Sequence, residues 1–222
     1  MHRRRDRRRG MALLATMVMV LLAAMLLASA LRTAWLNELI AGTELDYQRS
    51  FEHAQALLRD AELDIQGGCG PPRAPNCRRQ ADGQPWFPRH GLQELAPLRA
   101  LLAGRAPSCL QGICLPDSVA PAFWRSPAGE LDRMKAVAAH YGEFTGAAGQ
   151  PASDPLLMGK GWYWVEILPF DEAAPTPADA EALAPDADNP YVFRVTAVSE
   201  GRKPGSRAVL QSLVVLKRKV GP

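Results

Sequence analysis

Residues 11–31 read MALLATMVMVLLAAMLLASAL, and residues 32–66 continue RTAWLNELIAGTELDYQRSFEHAQALLRDAELDIQ. The first stretch has no charged side chain, and Thr16 and Ser29 are its only hydroxyl residues. At about 1.5 Å rise per residue it is long enough to cross a bilayer core of about 30 Å. Six Arg precede it and Arg32 follows it. That bias favours a cytoplasmic N-terminus, with the rest of the chain outside the cytoplasm. In the second stretch apolar residues recur at helical spacing: Trp35, Leu36, Leu39, Ile40, then Tyr47, Phe51, Ala54, Leu58, Ala61 and Ile65. Charged and amide residues, Asp46 and Asp60 among them, fill the positions between. No proline occurs before Pro71, and Gly67-Gly68 followed by Pro71-Pro72 stops a helix. One helix is therefore expected from residue 11 to about residue 66, on the order of 80 Å long. It is apolar all round in its first half and amphipathic in its second. Gly42 falls between the halves as a candidate bend.

The 222 residues suit one modest domain plus an anchor. The formal charge of +3 is unevenly placed. Residues 1–10 hold six Arg and one Asp, leaving 20 Lys+Arg against 22 Asp+Glu in the remainder. The basic signal belongs to the leader, and the rest of the chain has no net basic field to hold nucleic acid.

Three readings of the N-terminus stand side by side. The first is a permanent single-pass anchor. The second is a secretory signal peptide cut after the small triplet Ala28-Ser29-Ala30. The third is a short basic leader ending in Gly, cut between Gly10 and Met11 on the cytoplasmic side, which keeps the apolar segment in the mature protein. Either exported reading places Cys69, Cys77, Cys109 and Cys114 in an oxidising compartment, where an even count reads as disulfides. Local pairing, Cys69 with Cys77 and Cys109 with Cys114, makes two short loops; crossed pairing is the alternative. Neither spacing matches the two-residue gap of a zinc knuckle.

Beyond residue 66 a globular head is expected. Residues 69–111 read as loop, with one helical stretch over 92–102 interrupted by Pro97. Ser126-Pro127 has the form of a helix start, with Leu131, Met134, Ala138 and Tyr141 on one face. Three strands are predicted, over 162–168, 191–198 and 208–216. Residues 201–205 suggest a hairpin with a basic tip between the last two. Residues 171–189, rich in Ala, Pro and acid, lack a core-forming pattern and read as an exposed loop. The fold class expected is α+β: a long N-terminal helix packed on a small antiparallel sheet with disulfide-containing loops.

No catalytic signature emerges. His2, His53, His90 and His140 have no matching nucleophile motif, and His53, set among charged residues, reads as solvated. There is no phosphate loop and no His-Glu-x-x-His. Asp186, Asp188 and Asn189 have a faintly calcium-like spacing, but Pro190 follows and the twelve-residue pattern is missing. Trp162-Tyr163-Trp164 reads as core or interface before it reads as a sugar platform. No cofactor, no metal and no enzymatic activity are expected.

Several stretches together resemble the PilX-type minor pilins of the type IV pilus. They are Arg9-Gly10-Met11-Ala12-Leu13-Leu14, Asn37-Glu38-Leu39-Ile40-Ala41-Gly42, and the run from Ser50-Phe51-Glu52-His53 to Arg59-Asp60-Ala61-Glu62. Val192-Phe193-Arg194-Val195-Thr196-Ala197 and Val209-Leu210-Gln211-Ser212 are similar to the family's closing strands. Coverage is good over the first third and the last thirty residues, and the middle carries little. The resemblance implies a prepilin leader over 1–10, a transmembrane helix over 11–31, its amphipathic continuation over 32–66 and a periplasmic head over 67–222. It implies processing by a prepilin peptidase at Gly10 and Met11. It also implies an assembly interface through Ala15, Trp35, Leu39, Ile40 and Phe51. The implied partners are other minor pilins, the major pilin and a PilY-type tip protein. The implied location is the inner membrane, then the pilus tip.

There are departures. Gln55 stands where relatives commonly carry Glu. Major pilins carry Glu at the fifth residue after the cut, where this chain has Ala15. In those pilins the carboxylate pairs with a neighbouring subunit's N-terminal amine inside the apolar bundle, where either group unpaired would be costly. A subunit lacking it makes a poor repeating unit but suits the growing tip. The same lack fits the capping pseudopilin of type II secretion. A bitopic envelope protein whose periplasmic domain binds a ligand is the reading from a different class.

Overall fold

In the computed structural model, the described residues are 2–68, 77–78, 83–116, 119–126, 129–146, 160–170, 184–186 and 188–217, with side chains from residue 13 onward. The chain divides into two compact units, Met1–Leu45 and Asp46–Pro222. Helix α1 runs His2–Ile65. It begins earlier than the apolar pattern implies, and residue 42 is helical like its neighbours. The helix stops as the glycine pair predicts. The N–H of Gly68 donates to the Leu63 carbonyl (2.8 Å) and that of Gly67 to the Asp64 carbonyl (2.9 Å). Gly67 takes φ 68°, the left-handed conformation this closure needs.

In the first unit the apolar side chains stand exposed: Met19 is 73% accessible, Leu31 72% and Ile40 67%. A helix whose apolar side chains stand this exposed is suited to lipid or to packing with other helices. The stretch Leu13–Ile65 holds a window of mean hydropathy 2.5, long and apolar enough to cross a membrane.

In the second unit three long strands carry the fold: β3 (Lys160–Pro169), β4 (Tyr191–Glu200) and β5 (Arg207–Val215). They follow the period-two patterning of the sequence and pair antiparallel in chain order. The β4–β5 turn is the basic hairpin tip. Two short strands were not legible in the sequence. They are β1 (Cys109–Leu110) and β2 (Ile113–Cys114), inside and just beyond the stretch read as loop. Gln111 (φ 50°) and Gly112 (φ 79°) turn the chain between them, both left-handed as a two-residue hairpin requires. A side chain at position 112 would meet the Ala139 Cβ at 2.6 Å, so only glycine fits there. Because β2 runs parallel to β3, the five-stranded sheet is mixed, in the order β1-β2-β3-β4-β5.

Two helical expectations are corrected. Pro97 does not interrupt its helix: a 3-10 turn (Leu92–Glu94) leads into α2 (Leu95–Leu102), and Pro97 sits in the first turn, where its missing N–H costs nothing. Ser126 does not cap a helix. It is extended and ends a 3-10 turn, while α3 (Glu130–Lys135) starts behind Gly129. Leu131 and Met134 are buried on α3, but Ala138 and Tyr141 lie past its end. Residues 171–183 and 187, most of the acidic insert, lie outside the described residues, as does Pro127.

Both faces of the sheet are covered. On one face Leu57, Ala61 and Ile65 of α1, with Leu98 and Leu102 of α2, pack on Tyr163, Val165, Ile167, Phe193 and Val195. On the other, Cys109, Cys114, Phe123, Leu131 and Met134 pack on Trp164 and Val198. Trp164 anchors this second core: its indole N–H donates to the Met134 carbonyl at 2.9 Å, and the Phe123 ring meets it edge-on at 4.9 Å.

Candidate functional site: the anchor helix and the polar seam of the head

The residues proposed for assembly separate into two environments. Trp35 (61% accessible), Leu39 (47%) and Ile40 are exposed within the first unit, and Ala15 is exposed as well. Phe51, in the second unit, is half-buried, with the Tyr47 ring 6.5 Å from its own. Gly10 and Met11 lie in the helical stretch.

Beyond Leu45 the helix face turned to the head is rotated from the one the apolar spacing suggests. Tyr47 is exposed, and the buried positions are Asp46, Ser50, His53, Ala54, Leu57, Asp60, Ala61, Asp64 and Ile65. These recur at three and four residues, so the periodicity was sound. What overrides the expected phase is that Asp46, His53, Asp60 and Asp64 on this face find partners in the head, while Ser50 donates back to the Asp46 carbonyl at 3.0 Å, and a satisfied buried polar group is tolerated. The expectation that His53 is solvated is overturned: it is 3% accessible.

At the first end of this seam, the Asp46 carboxylate accepts the backbone N–H groups of Arg202 and Lys203, each at 3.0 Å. Those bonds, Lys203 first and then Arg202, hold Asp46 below the usual carboxylate range. They pin the β4–β5 hairpin tip to α1. Two turns on, His53 Nδ1 lies 3.0 Å from Ser199 Oγ. Gly161 of β3 passes directly beneath, where a Cβ would meet the Leu57 Cδ1 at 2.7 Å. A histidine beside a serine invites a nucleophilic reading. Both groups, however, are sealed between helix and sheet, His53 at 3% and Ser199 at 1% accessible, out of reach of a substrate.

At the far end Asp60 accepts from Thr145 Oγ1 and from the Gly142 N–H (2.8 Å). Asp64 accepts from Arg78 Nε (2.8 Å) and the Tyr163 hydroxyl (3.0 Å). Burial pushes both carboxyls up, against those bonds, and pushes the Tyr163 hydroxyl well up. The Arg78 guanidinium lies 3.6 Å over the Phe144 ring and 5.3 Å from that of Phe87. Asp46, Asp60, Asp64 and Arg78 were missed as structural determinants. The signal available for the first three was acidic residues in phase with the buried apolar ones; Arg78 had no local signal.

Cys109 and Cys114 form a disulfide across the β1–β2 hairpin, both fully buried. Cys77 is also disulfide-bonded. Cys69 lies outside the described residues.

The seam makes stability depend on pH. Burial lowers His53 below its ordinary 6.5, so the unfolded chain binds a proton there before the folded chain does. Its contribution is full above pH 6.5 and is lost as the pH falls below it. The head should therefore melt at a lower temperature at pH 5.5 than at 7.5. His53→Gln, which keeps a hydrogen-bonding partner for Ser199 but does not titrate, should flatten the dependence. Calorimetry at both pH values checks this, and equal slopes for the two proteins would refute it.

This architecture can position and assemble; the seam joins a helix to a head and presents no open reaction centre among the described residues. The family model described as type IV pilus assembly protein PilX, C-terminal, matches residues 74–216, a span from the Arg78 loop through all five strands. No curated protein and no solved structure matches the chain. The match covers well over half of the chain and the whole sheet that α1 backs. The apolar helix in front of it fits a membrane-anchored pilin. The chain thus belongs to the PilX family of type IV pilus assembly proteins and has a minor pilin's role in building the pilus with other pilus components.

Proposed function

We propose that this minor pilin primes pilus assembly and stays near the pilus tip in a complex with other minor pilins, acting by contact and not by catalysis. In this reading residues 1–10 are a leader, prepilin peptidase cuts between Gly10 and Met11, and the head is periplasmic before export. Residues 11–31 span the inner membrane, 32–66 continue the helix, and 67–222 form the head. The observation that carries the reading is Ala15 on a helix whose apolar side chains over residues 13–40 are exposed. Such a helix is suited to enter a bundle of sister helices. Without a carboxylate at position 15, however, it offers nothing to neutralise the N-terminal amine of a following subunit, and a buried unpaired charge is strongly unfavourable. Long runs of this subunit alone are disfavoured, whereas an end position is not. The second core on the outer face of the sheet enlarges the head, and bulk is easier to place at an end than along a packed shaft. Trp35, Leu39, Ile40 and Phe51 contact the other minor pilins and the major pilin, and the head contacts a PilY-type tip protein.

Deleting the protein should strip the cell of surface pili while the major pilin is still made and inserted, as seen by electron microscopy beside membrane fractionation. Full piliation in the deletion strain would remove the priming role. Gold label spread along shafts at major-pilin abundance would remove the tip position.

A further inference from the structure

The joint between α1 and the head is not uniform along its length. From Leu57 onward it is backed by apolar packing, since Leu57, Ala61 and Ile65 belong to the inner core. Among the described residues, neither core includes a residue of α1 before Leu57, although Asp46, Ser50, His53 and Ala54 are all buried. Beneath this stretch the sheet presents a row of small residues in register: Gly161 of β3, Ser199 of β4 and Ala208 of β5. Cross-strand partners share a face, so the row lies under the helix. A Cβ at position 161 would meet the His53 ring at 2.5 Å. The imidazole of His53 thus fills the gap between helix and row, with Ser199 Oγ as its partner at 3.0 Å. Beyond it the hairpin tip is held by the two backbone bonds to Asp46. A segment fastened by a few polar bonds, with little apolar packing behind them, opens at lower cost than the core does.

The two ends of the joint answer acid in opposite directions. Burial lowers His53 below its ordinary 6.5, so the closed joint excludes a proton that the opened, hydrated imidazole takes up. Closure there is fully favoured above pH 6.5 and less so as the pH falls below it. Asp46 is lowered by its bonds to Lys203 and Arg202, so its hold is full above 3.8 and weakens only as the pH falls through the lowered value. At the far end burial raises Asp60 and Asp64, and closure there gains as the pH falls through their raised values. The charged and titratable groups on the elements around His53 stand at the surface or are paired. Arg49 and Glu52 of α1, Lys160 of β3, Arg207 of β5 and His140 are exposed, and Glu200 of β4 accepts from Lys135 and Arg207. Around Asp46, the side chains of Arg202 and Lys203 on the tip and of Glu44 and Arg49 on α1 are exposed as well.

We propose that the β4–β5 hairpin is a pH-sensitive clasp on α1: in mild acid its tip, residues 199–207, lifts from Asp46 and His53 while the far end of the joint, at Asp60 and Asp64, stays closed. Lifting frees the helix over Asp46–Ala54, the stretch where it enters the head. The clasp rests on this joint alone and not on the subunit's place in the pilus. The test follows hydrogen exchange of the full chain in detergent micelles at pH 5.5 and 7.5, with each amide's rate divided by its intrinsic rate at that pH. The Arg202 and Lys203 amides should be less protected than the middle of β3 and β4 at both pH values, and should lose protection severalfold at the lower one. The Gly142 amide, held by Asp60, should lose none. His53→Gln should remove the pH step at the tip. Asp46→Asn, which leaves His53 in place, should lower protection of the two tip amides at both pH values and keep the step, so the proposal stays testable if His53→Gln fails to fold. Tip protection that is the same at both pH values, a step that survives His53→Gln, or an equal loss at Gly142 overturns the proposal. Tip amides as protected as the middle of β3 and β4 overturn it too, since the tip then opens only when the whole head unfolds.

Discussion

Arg78→Ala should destabilise the head by about 3–5 kcal/mol at neutral pH, the cost of leaving one member of a buried ion pair uncompensated. The pair is well inside the protein: the Arg78 side chain is 6% accessible and that of Asp64 2%. Arg78 also donates to the Gln111 carbonyl and stacks on Phe144, so its loss releases the chain around Cys77 from the β1–β2 turn. Asp64 would keep the Tyr163 hydroxyl as its donor and would face the nearby charge of Glu143 unaided. Its carboxyl, already raised by burial, would rise further without the guanidinium. A carboxyl raised in the folded state binds its proton there first. Stability is then full below the ordinary 3.8 and falls as the pH rises through the raised value. The gap in stability between the variant and the wild type should consequently narrow when the pH is lowered from 7 to 5. Arg78→Ala with Asp64→Asn should be more stable at pH 7 than Arg78→Ala alone. Urea unfolding of the three proteins at both pH values measures this. A loss under about 1 kcal/mol at pH 7, the net worth of an ordinary hydrogen bond, would show that the pair is not a structural requirement.

Gly10→Phe should leave the protein as an unprocessed precursor about ten residues longer than the mature form, and surface pili should be lost with it. The prediction rests on the proposed leader. Glycine has no side chain, so the bond between Gly10 and Met11 is open to a peptidase at the membrane edge, and a bulky ring would close that approach. The uncut leader would keep six Arg directly before the apolar helix. Drawing those charges into a helical bundle costs several kcal/mol per ion, so the precursor should insert in the membrane but fail to leave it. Electrophoretic mobility and N-terminal sequencing read the cut, and microscopy reads the pili. Equal mobility of the variant and wild type would dispose of the leader reading.

Much of the architecture is written locally. The apolar run of residues 11–31, the glycine pair at 67–68 and the alternation in β3, β4 and β5 each depend on one element's own period, and apart from the earlier start of α1 at His2 the structure agrees with them to within a few residues. Trp162-Tyr163-Trp164 shows the limit. Alternation puts Tyr163 and Trp164 on opposite faces, but does not reveal that both faces are covered, since the cover for Trp164 comes from Phe123 and Met134 at distant positions.

Sequence alone thus determined the apolar helix, the helix end, the three long strands and the α+β class, because hydrophobic period and backbone stops act within a single segment. The tertiary structure alone decided the phase of α1 over the head. Asp46, His53, Asp60 and Asp64 are buried because their partners Lys203, Ser199, Thr145 and Arg78 arrive from 14 to 157 positions away. A polar side chain without its partner belongs in water; with the partner it belongs in the core, and no local pattern records which holds. The two-residue strands β1 and β2 are of the same kind. They are too short to show a period, and they become strands only because β3 offers β2 an edge and the disulfide holds β1 beside it.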